Sequence, residues 1–287
     1  MATLLPDISI RQLEYLVAVA DSPTWAIAAE RVGVSPSALS QGLAELERRV
    51  GVGLFERDGR RRLVRAEATP VLDHARQVVA LTGDLAAWSE RVRGAVTGSV
   101  RVGMIDVAAV VHFPDVLARF RAERPEVDFH LNVAPSRSLL DHLRSGDLDL
   151  VVCVEPVGSV PGVRTEVIER ESLVVVAPGG TDIGDPPTWG PWVLFPSGSH
   201  TRAHVEARLR ELGARLDVAA ESHQPDVLAH MVGLGLGWTV LPALQVPSSV
   251  SVTIGPEILT RRLVAAWRDG AVRDPVADQL LARLRAP

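Results

Sequence analysis

Ser35, Ser37, Ser40 and Gln41 place three hydroxyls and a carboxamide within two turns at the start of an amphipathic segment. A serine hydroxyl can donate to or accept from a base edge, and a glutamine can pair bidentately with adenine. A second group follows: Arg57, Arg60, Arg61, Arg62 and Arg65 oppose only Glu56 and Asp58. Guanidinium groups of this kind grip phosphates or reach into a narrow minor groove. A third group, Ser197-Gly198-Ser199-His200-Thr201-Arg202, joins an apolar strand to a helical pattern. Hydroxyls and free backbone N–H groups at a helix start form a seat for a carboxylate or another anion. His200 and His204 stand four residues apart, which could turn both toward one metal. No third ligand is evident nearby, so no metal is expected. Cys153 is the only cysteine, which rules out an intrachain disulfide; at the end of an apolar run it reads as an inert core thiol. The chain shows no nucleophile elbow, phosphate loop or dinucleotide fingerprint, so neither an enzyme nor a cofactor is expected.

The elements that must position the first two groups are legible. Leu13, Leu16, Val17 and Ala20 recur at helical spacing, and the pattern predicts a helix over 10–20. Asp21, Ser22 and Pro23 stop it. A short helix over 25–32 buries Ala28, Ala29 and Val32, and small residues there let two helices cross closely. Gly33 permits the turn. Ser35 then reads as an N-cap and Pro36 as the first residue of a third helix reaching Val50. Helix, short glycine turn, helix is the helix-turn-helix pattern, whose second helix meets base edges with its N-terminal residues. Arg57–Val64, with Asp58-Gly59 at its turn, reads as a basic β-hairpin, a wing.

The net charge of −5 looks wrong for a nucleic-acid binder, but its distribution matters more than its sum. Residues 1–94 hold 12 arginines against 12 acidic residues, so the whole acidic excess lies beyond them. The chain has no lysine; every fixed side-chain cation is arginine. No apolar run approaches the roughly 20 residues of a membrane span. The first ten residues lack the pattern of a signal peptide, and the cytoplasm is the expected location.

Ala28-Ala29-Glu30-Arg31, Val34-Ser35, Ala38-Leu39-Ser40, Leu46-Glu47, Gly51 and Leu54-Phe55-Glu56-Arg57 together resemble the N-terminal signature of the LysR-type transcriptional regulators. The likeness is dense up to the wing and weaker beyond it. Three places depart from the family pattern. Pro36-Ser37 stands for Gln-Pro, Trp25 for Phe, and Arg65-Ala66 for a Leu-Thr pair. The displaced proline changes which side chain meets the first base, so no base preference carries over. The resemblance implies double-stranded DNA as partner, a small-molecule effector, self-association as a homodimer or homotetramer, and RNA polymerase as a further partner if the protein activates.

From Thr69 to Arg93 the pattern is one long helix. Val71, Val78, Leu85 and Val92 recur every seven residues, with Leu81 and Trp88 at the second apolar position and His74 weakening the seam. Such a seam needs a second helix or its own domain to pack on; the resemblance implies a second subunit. Gly94–Gly98 reads as a hinge. Beyond it, strand and helix patterns alternate, which predicts a mostly parallel sheet with helices on both faces. The length suits two small α/β lobes, and the resemblance implies a periplasmic-binding-protein-like effector domain whose chain crosses between lobes twice.

The expected architecture is therefore α+β and multidomain: a winged helix-turn-helix over 1–66, a linker helix over 67–94 and a two-lobe effector domain over 95–287. Lobe I would hold 99–168 and 268–287, and lobe II 169–267, with crossovers near Ile168–Glu171 and Trp267–Asp269. Ligands bind such sheets at the carboxyl ends of strands, between lobes. That places Ile105, Asp106, Val107, Ser136, Glu155, Ser197, Gly198, Ser199, His200, Thr201, Arg202 and His223 at the cleft. Ser136 matches a position where the family often has a ligand-contacting hydroxyl, whereas Val107 lacks one. Asp106 and Glu155 bring negative charge, so an apolar, neutral or partly cationic effector is expected rather than a simple dicarboxylate. Two other classes compete. A solute-binding transport component suits the second domain alone, and an architectural DNA-binding protein suits the first alone.

Overall fold

A computed structural model describes residues 7–58, 61–92 and 98–285, without the side chains of residues 57, 58, 61, 62, 91 and 92. The chain forms two compact units, the first built on residues up to Ala95 and the second on those from Val96.

In the first unit, α1 (Ile10–Ala20) opens on a capping box. Ser9 Oγ accepts from Gln12 N at 3.2 Å while Gln12 Oε1 accepts from Ser9 N at 3.0 Å. Thr24 caps α2 (Trp25–Arg31), and Ser35 with Pro36 opens α3 (Pro36–Val50). Gly33 and Gly51 take the left-handed conformation at the turn and at the end of α3, with φ of +67° and +79°. Strands β1 (Phe55–Asp58) and β2 (Arg61–Val64) pair antiparallel as the wing, with Asp58 opposite Arg61 at its closed end. Trp25 packs edge-on against Phe55 at 5.1 Å, which ties α2 to the wing. Helix α4 (Thr69–Val92) lays Leu72 and Ala75 into the same core as Leu16, Leu39, Leu43 and Leu46.

The second unit contains the strand and helix series β3 (Ser99–Met104), α5 (Pro114–Glu123), β4 (Asp128–Val133), α6 (Ser136–Ser145) and β5 (Leu150–Val154). It continues through β6 (Val163–Pro178), β7 (Trp192–Leu194), α7 (His200–Glu211), β8 (Val218–Glu221) and α8 (Pro225–Gly233). It ends with β9 (Thr239–Pro242), β10 (Val252–Arg268) and α9 (Pro275–Leu284). The main sheet runs β4-β3-β5-β10-β6-β9, and β7-β8 forms a small sheet beside it.

The sheet is mixed, which corrects the expectation of a mostly parallel one. β3 is parallel to β4 and β5, but β10 runs antiparallel to both β5 and β6, and β6 is antiparallel to β9. The reason is the pair of long strands β6 and β10, which lie side by side and each pass from one lobe core to the other. In β6, Ile168 packs on the first core and Leu173 lies in the second. In β10, Ile258 belongs to the second core whereas Leu263, Val264, Ala265 and Ala266 are buried in the first. That strand thus changes lobe at Thr260–Arg262, several residues before the crossover expected at Trp267–Asp269. Leu173, Val175 and Ala177 face α7 on one side of the second lobe, and Val174 and Val176 face α8 on the other, as strand alternation requires.

Candidate DNA-reading surface and effector cleft

The first four candidate residues divide by what their side chains already do. Ser35 Oγ accepts from Ala38 N at 3.2 Å and lies 2.9 Å from Ser37 Oγ, so Ser35 is a working N-cap and orients its neighbour. Ser37 and Gln41 are exposed and Ser40 is half-buried on α3. Further along, Glu45 holds Arg48 Nε at 2.9 Å and also bonds Arg49. The hydrogen bonds from Arg48 and then Arg49 hold the Glu45 carboxyl down at about 2. Glu47 turns inward, where its Oε1 accepts from Leu54 N at 2.7 Å and fixes the chain entering the wing. The backbone of Arg57, Arg61 and Arg62 lies in the wing strands; their side chains and the whole of Arg60 lie outside the described residues.

The seam expected on α4 splits. Val71 and Val78 pack against the first unit's own core, so the N-terminal part of the helix is satisfied at home. Leu81 is half-buried, while Leu85 and Trp88 are 52% and 43% exposed. The Val92 side chain and the hinge at Gly94–Gly98, except Gly98, lie outside the described residues.

Within the second unit a cavity of about 260 Å³ opens between the lobes. Of the twelve residues assigned to the cleft, Ile105, Asp106, Ser136, Ser199, Thr201 and His223 line it. The other six do other work. Val107 is fully buried in the first lobe's core. Glu155 is paired with Arg262 at 2.5 Å. Ser197 and Gly198 form an exposed turn, where Gly198 takes φ of +87°. Arg202 is buried and bonded to Glu206 at 2.6 Å and the Phe195 carbonyl at 2.7 Å. His200 Nδ1 lies 3.2 Å from the Val154 carbonyl, and His204 Nε2 lies 3.1 Å from the Glu155 carbonyl. The two histidines thus dock α7 on the end of β5 rather than converging on one point. Among the described residues no cluster of three His, Cys, Asp or Glu could hold a metal.

Sequence reasoning missed the most consequential wall residue, Arg261, together with its partners. Its Nε donates to Glu171 Oε2 at 2.6 Å and its NH1 donates to Thr201 Oγ1 at 2.8 Å. Glu171 Oε1 in turn lies 2.7 Å from His112 Nε2. Arg261 and Glu171 keep only 4% and 3% of their side-chain surface. The clue lay in charged residues abutting apolar runs, Glu171 before Leu173–Ala177 and Arg261 before Leu263–Ala266. A charge in such a place has to be paired. Around the cavity the N-terminal turns of α6, α7 and α8 also converge, through Ser136, Ser199 with Thr201, and Gln224 with Pro225. Their partial positive ends add to the arginine's charge.

Comparison with known proteins decides the family. The model of the LysR substrate binding domain matches residues 93–286, and that of the bacterial regulatory helix-turn-helix protein, lysR family, matches residues 10–70. The chain belongs to the LysR family of transcriptional regulators. This LysR-type regulator is 32% identical to a probable hydrogen peroxide-inducible genes activator of Streptomyces viridosporus, over 96% of its own length and 93% of the relative's. It is 28% identical to the RuBisCO operon transcriptional regulator of Allochromatium vinosum, over 92% and 86% of the two chains. Among solved structures, a full-length OxyR variant of Pseudomonas aeruginosa superposes with a TM-score of 0.68 at 23% identity, covering 97% of this chain and 94% of that one. Full-length CbnR complexed with its target DNA gives 0.58 at 19% identity, over 97% and 99%. The protein is thus a DNA-binding transcriptional regulator with a winged helix-turn-helix and an effector-binding domain of mixed α/β architecture. Among the described residues no helix is long and apolar enough to cross a membrane.

Proposed function

We propose that this LysR-type regulator reads operator bases with Ser37, Ser40 and Gln41, grips phosphates with the wing arginines 57, 60, 61 and 62, and answers to a small carboxylate between the lobes of its effector domain. The protein works in the cytoplasm as a homodimer or a dimer of dimers, joined through the outward face of α4 at Leu81, Leu85 and Trp88. Exposed apolar side chains at that spacing favour a partner helix. It recruits or excludes RNA polymerase according to which arrangement of subunits the effector stabilises, and it carries out no catalysis.

The observation that supports a carboxylate is Arg261. Two of its nitrogens are spent on Glu171 and Thr201, and the residue lines the cavity beside three helix N-termini. Of the two acids that argued for a neutral or cationic ligand, Glu155 is committed to Arg262, which leaves Asp106 as the acidic residue lining the cavity. Ile105, Val133 and Phe195 supply an apolar side for the rest of the molecule. A thermal-shift screen of the full chain against small carboxylates and their matched amides tests this. A carboxylate at 100 times its Kd should stabilise by about 2.7 kcal/mol, its amide should not, and Arg261→Met should abolish the difference. Equal shifts from acids and amides would exclude the anionic reading.

A thiol-based peroxide response is not part of this proposal, although one relative's name refers to peroxide. Cys153 is buried in β5, and burial pushes its thiol up to about 12. The thiolate is the reactive species, and it is scarce under those conditions. Cys153→Ala is expected to leave operator binding unchanged with or without hydrogen peroxide, at a stability cost of about 1 kcal/mol. A peroxide-dependent gel shift that vanishes in the variant would show the opposite.

A further inference from the structure

We infer that His112 is a positioning residue of the effector site: through Glu171 it sets how much of the Arg261 charge is available to an anion in the cavity. The inference rests on the carboxylate reading above and adds the residues that tune it.

His112 ends a short π-helical segment, residues 108–112, whose approach through Ile105 and Asp106 lines the cavity. Its Nε2 meets Glu171 Oε1 at 2.7 Å, and the other oxygen of the same carboxylate takes Arg261 Nε at 2.6 Å. Glu171 therefore stands between an imidazole and a guanidinium, with one oxygen on each. The second ring nitrogen of His112, Nδ1, faces Glu169 Oε2 at 4.0 Å, and the flank of the ring meets Phe113. The groups that face His112 are thus Glu171 and Glu169, both from β6, with Arg261 of β10 behind Glu171.

This arrangement has two charge states. With His112 neutral, Glu171 and Arg261 form a closed pair with no net charge, and an anion meets the helix N-termini together with Asp106 and His223 on the cavity wall. With His112 protonated, Glu171 is shared between two cations, and the group carries one positive charge facing the cavity. Glu169 is one-third exposed and only at the edge of contact, so water screens its opposing charge. In the buried chain, by contrast, the charges act on one another more strongly than they would in water. Histidine is the side chain that changes charge in the neutral range. Anion affinity should therefore fall as pH rises, whereas affinity for a neutral molecule of the same shape should not.

Two measurements on the full-length protein test this. In the first, 15N-arginine-labelled protein without ligand is titrated between about pH 5.5 and 8. The Arg261 Nε–H signal, assigned by its loss in Arg261→Lys, is expected to shift with the same midpoint as the His112 ring signals, and the shift should disappear in His112→Asn. An Arg261 signal that ignores the His112 titration would overturn the inference whatever the ligand. In the second, benzoate and benzamide are titrated calorimetrically across the same pH range. Benzoate affinity is expected to fall about tenfold, the equivalent of one pKa unit of coupling, and to lose that slope in His112→Asn, while benzamide stays flat. A slope unchanged in His112→Asn would overturn the inference and assign the effect to another wall group such as His223. Benzoate that binds no better than benzamide at any pH would instead sink the carboxylate reading, with the Arg261 titration still deciding whether the three side chains are coupled.

Discussion

Glu171→Leu is expected to destabilise the effector domain by about 3–5 kcal/mol, because it leaves a buried guanidinium without its counter-charge. Both oxygens of Glu171 are in use, one on His112 at 2.7 Å and one on Arg261 at 2.6 Å. Thr201 remains as the one hydroxyl partner of Arg261 and cannot balance a full charge. Urea unfolding should show the midpoint fall with little change in slope, the mark of lost stability rather than altered compactness. The double variant Glu171→Leu, Arg261→Met should recover most of the loss, since replacing both members of a buried pair with apolar groups is often neutral or better. It should at the same time abolish the carboxylate thermal shift. Stability and ligand response would then separate, assigning Arg261 to binding rather than to holding the fold. A double variant as unstable as the single one would mean that the pair supports the lobes in some other way.

Gln41→Ala is expected to cost about 1–3 kcal/mol for each half-site. A dimer reading two half-sites would lose both contributions, or about 2–6 kcal/mol. The Gln41 side chain is exposed on α3, whereas Leu39 and Leu43 around it are buried, so the substitution leaves the helix packing intact. Fluorescence anisotropy against the protein's own promoter region and a scrambled duplex, at one fixed salt concentration, measures it. Affinity for the promoter should fall and affinity for the scrambled duplex should not. Equal losses on both would assign Gln41 to the sugar-phosphate backbone.

The N-terminal unit was legible because its signals are local. The apolar spacing of Leu13, Leu16 and Val17 announces α1, Asp21-Ser22-Pro23 stops it, Ser35 and Pro36 open α3, and Gly33 permits the turn between helices. In the effector domain the alternation of strand and helix was legible as far as β9, most plainly in the continuous apolar runs of β5 and the latter part of β6. The earlier part of β6 and much of β10 carry Arg164, Glu166, Glu169, Arg170 and Arg262, charged residues that read as loop. They are strand because β6 and β10 pair with each other over most of their lengths, a partnership between segments far apart in sequence. Overlooking β10 concealed Arg261 and misplaced the second crossover. Only six of the twelve residues assigned to the cleft line the cavity, for a related reason. Helix starts identify where a pocket can be, but not which of their side chains turn inward, and His200 and Arg202 turn to the protein instead.

The clasp of Glu45 on Arg48 and Arg49 bears on how binding responds to salt. A free arginine that neutralises a phosphate releases a counterion and adds about 0.9 to the logarithmic salt slope on duplex DNA. Arg48 and Arg49 already carry their counter-charge with them, since Glu45 stays ionised far below neutral pH. The C-terminal half of α3 therefore contributes little to counterion release. The salt dependence of binding should be set by the wing, while α3, nearly neutral along its length, discriminates among sequences almost independently of ionic strength.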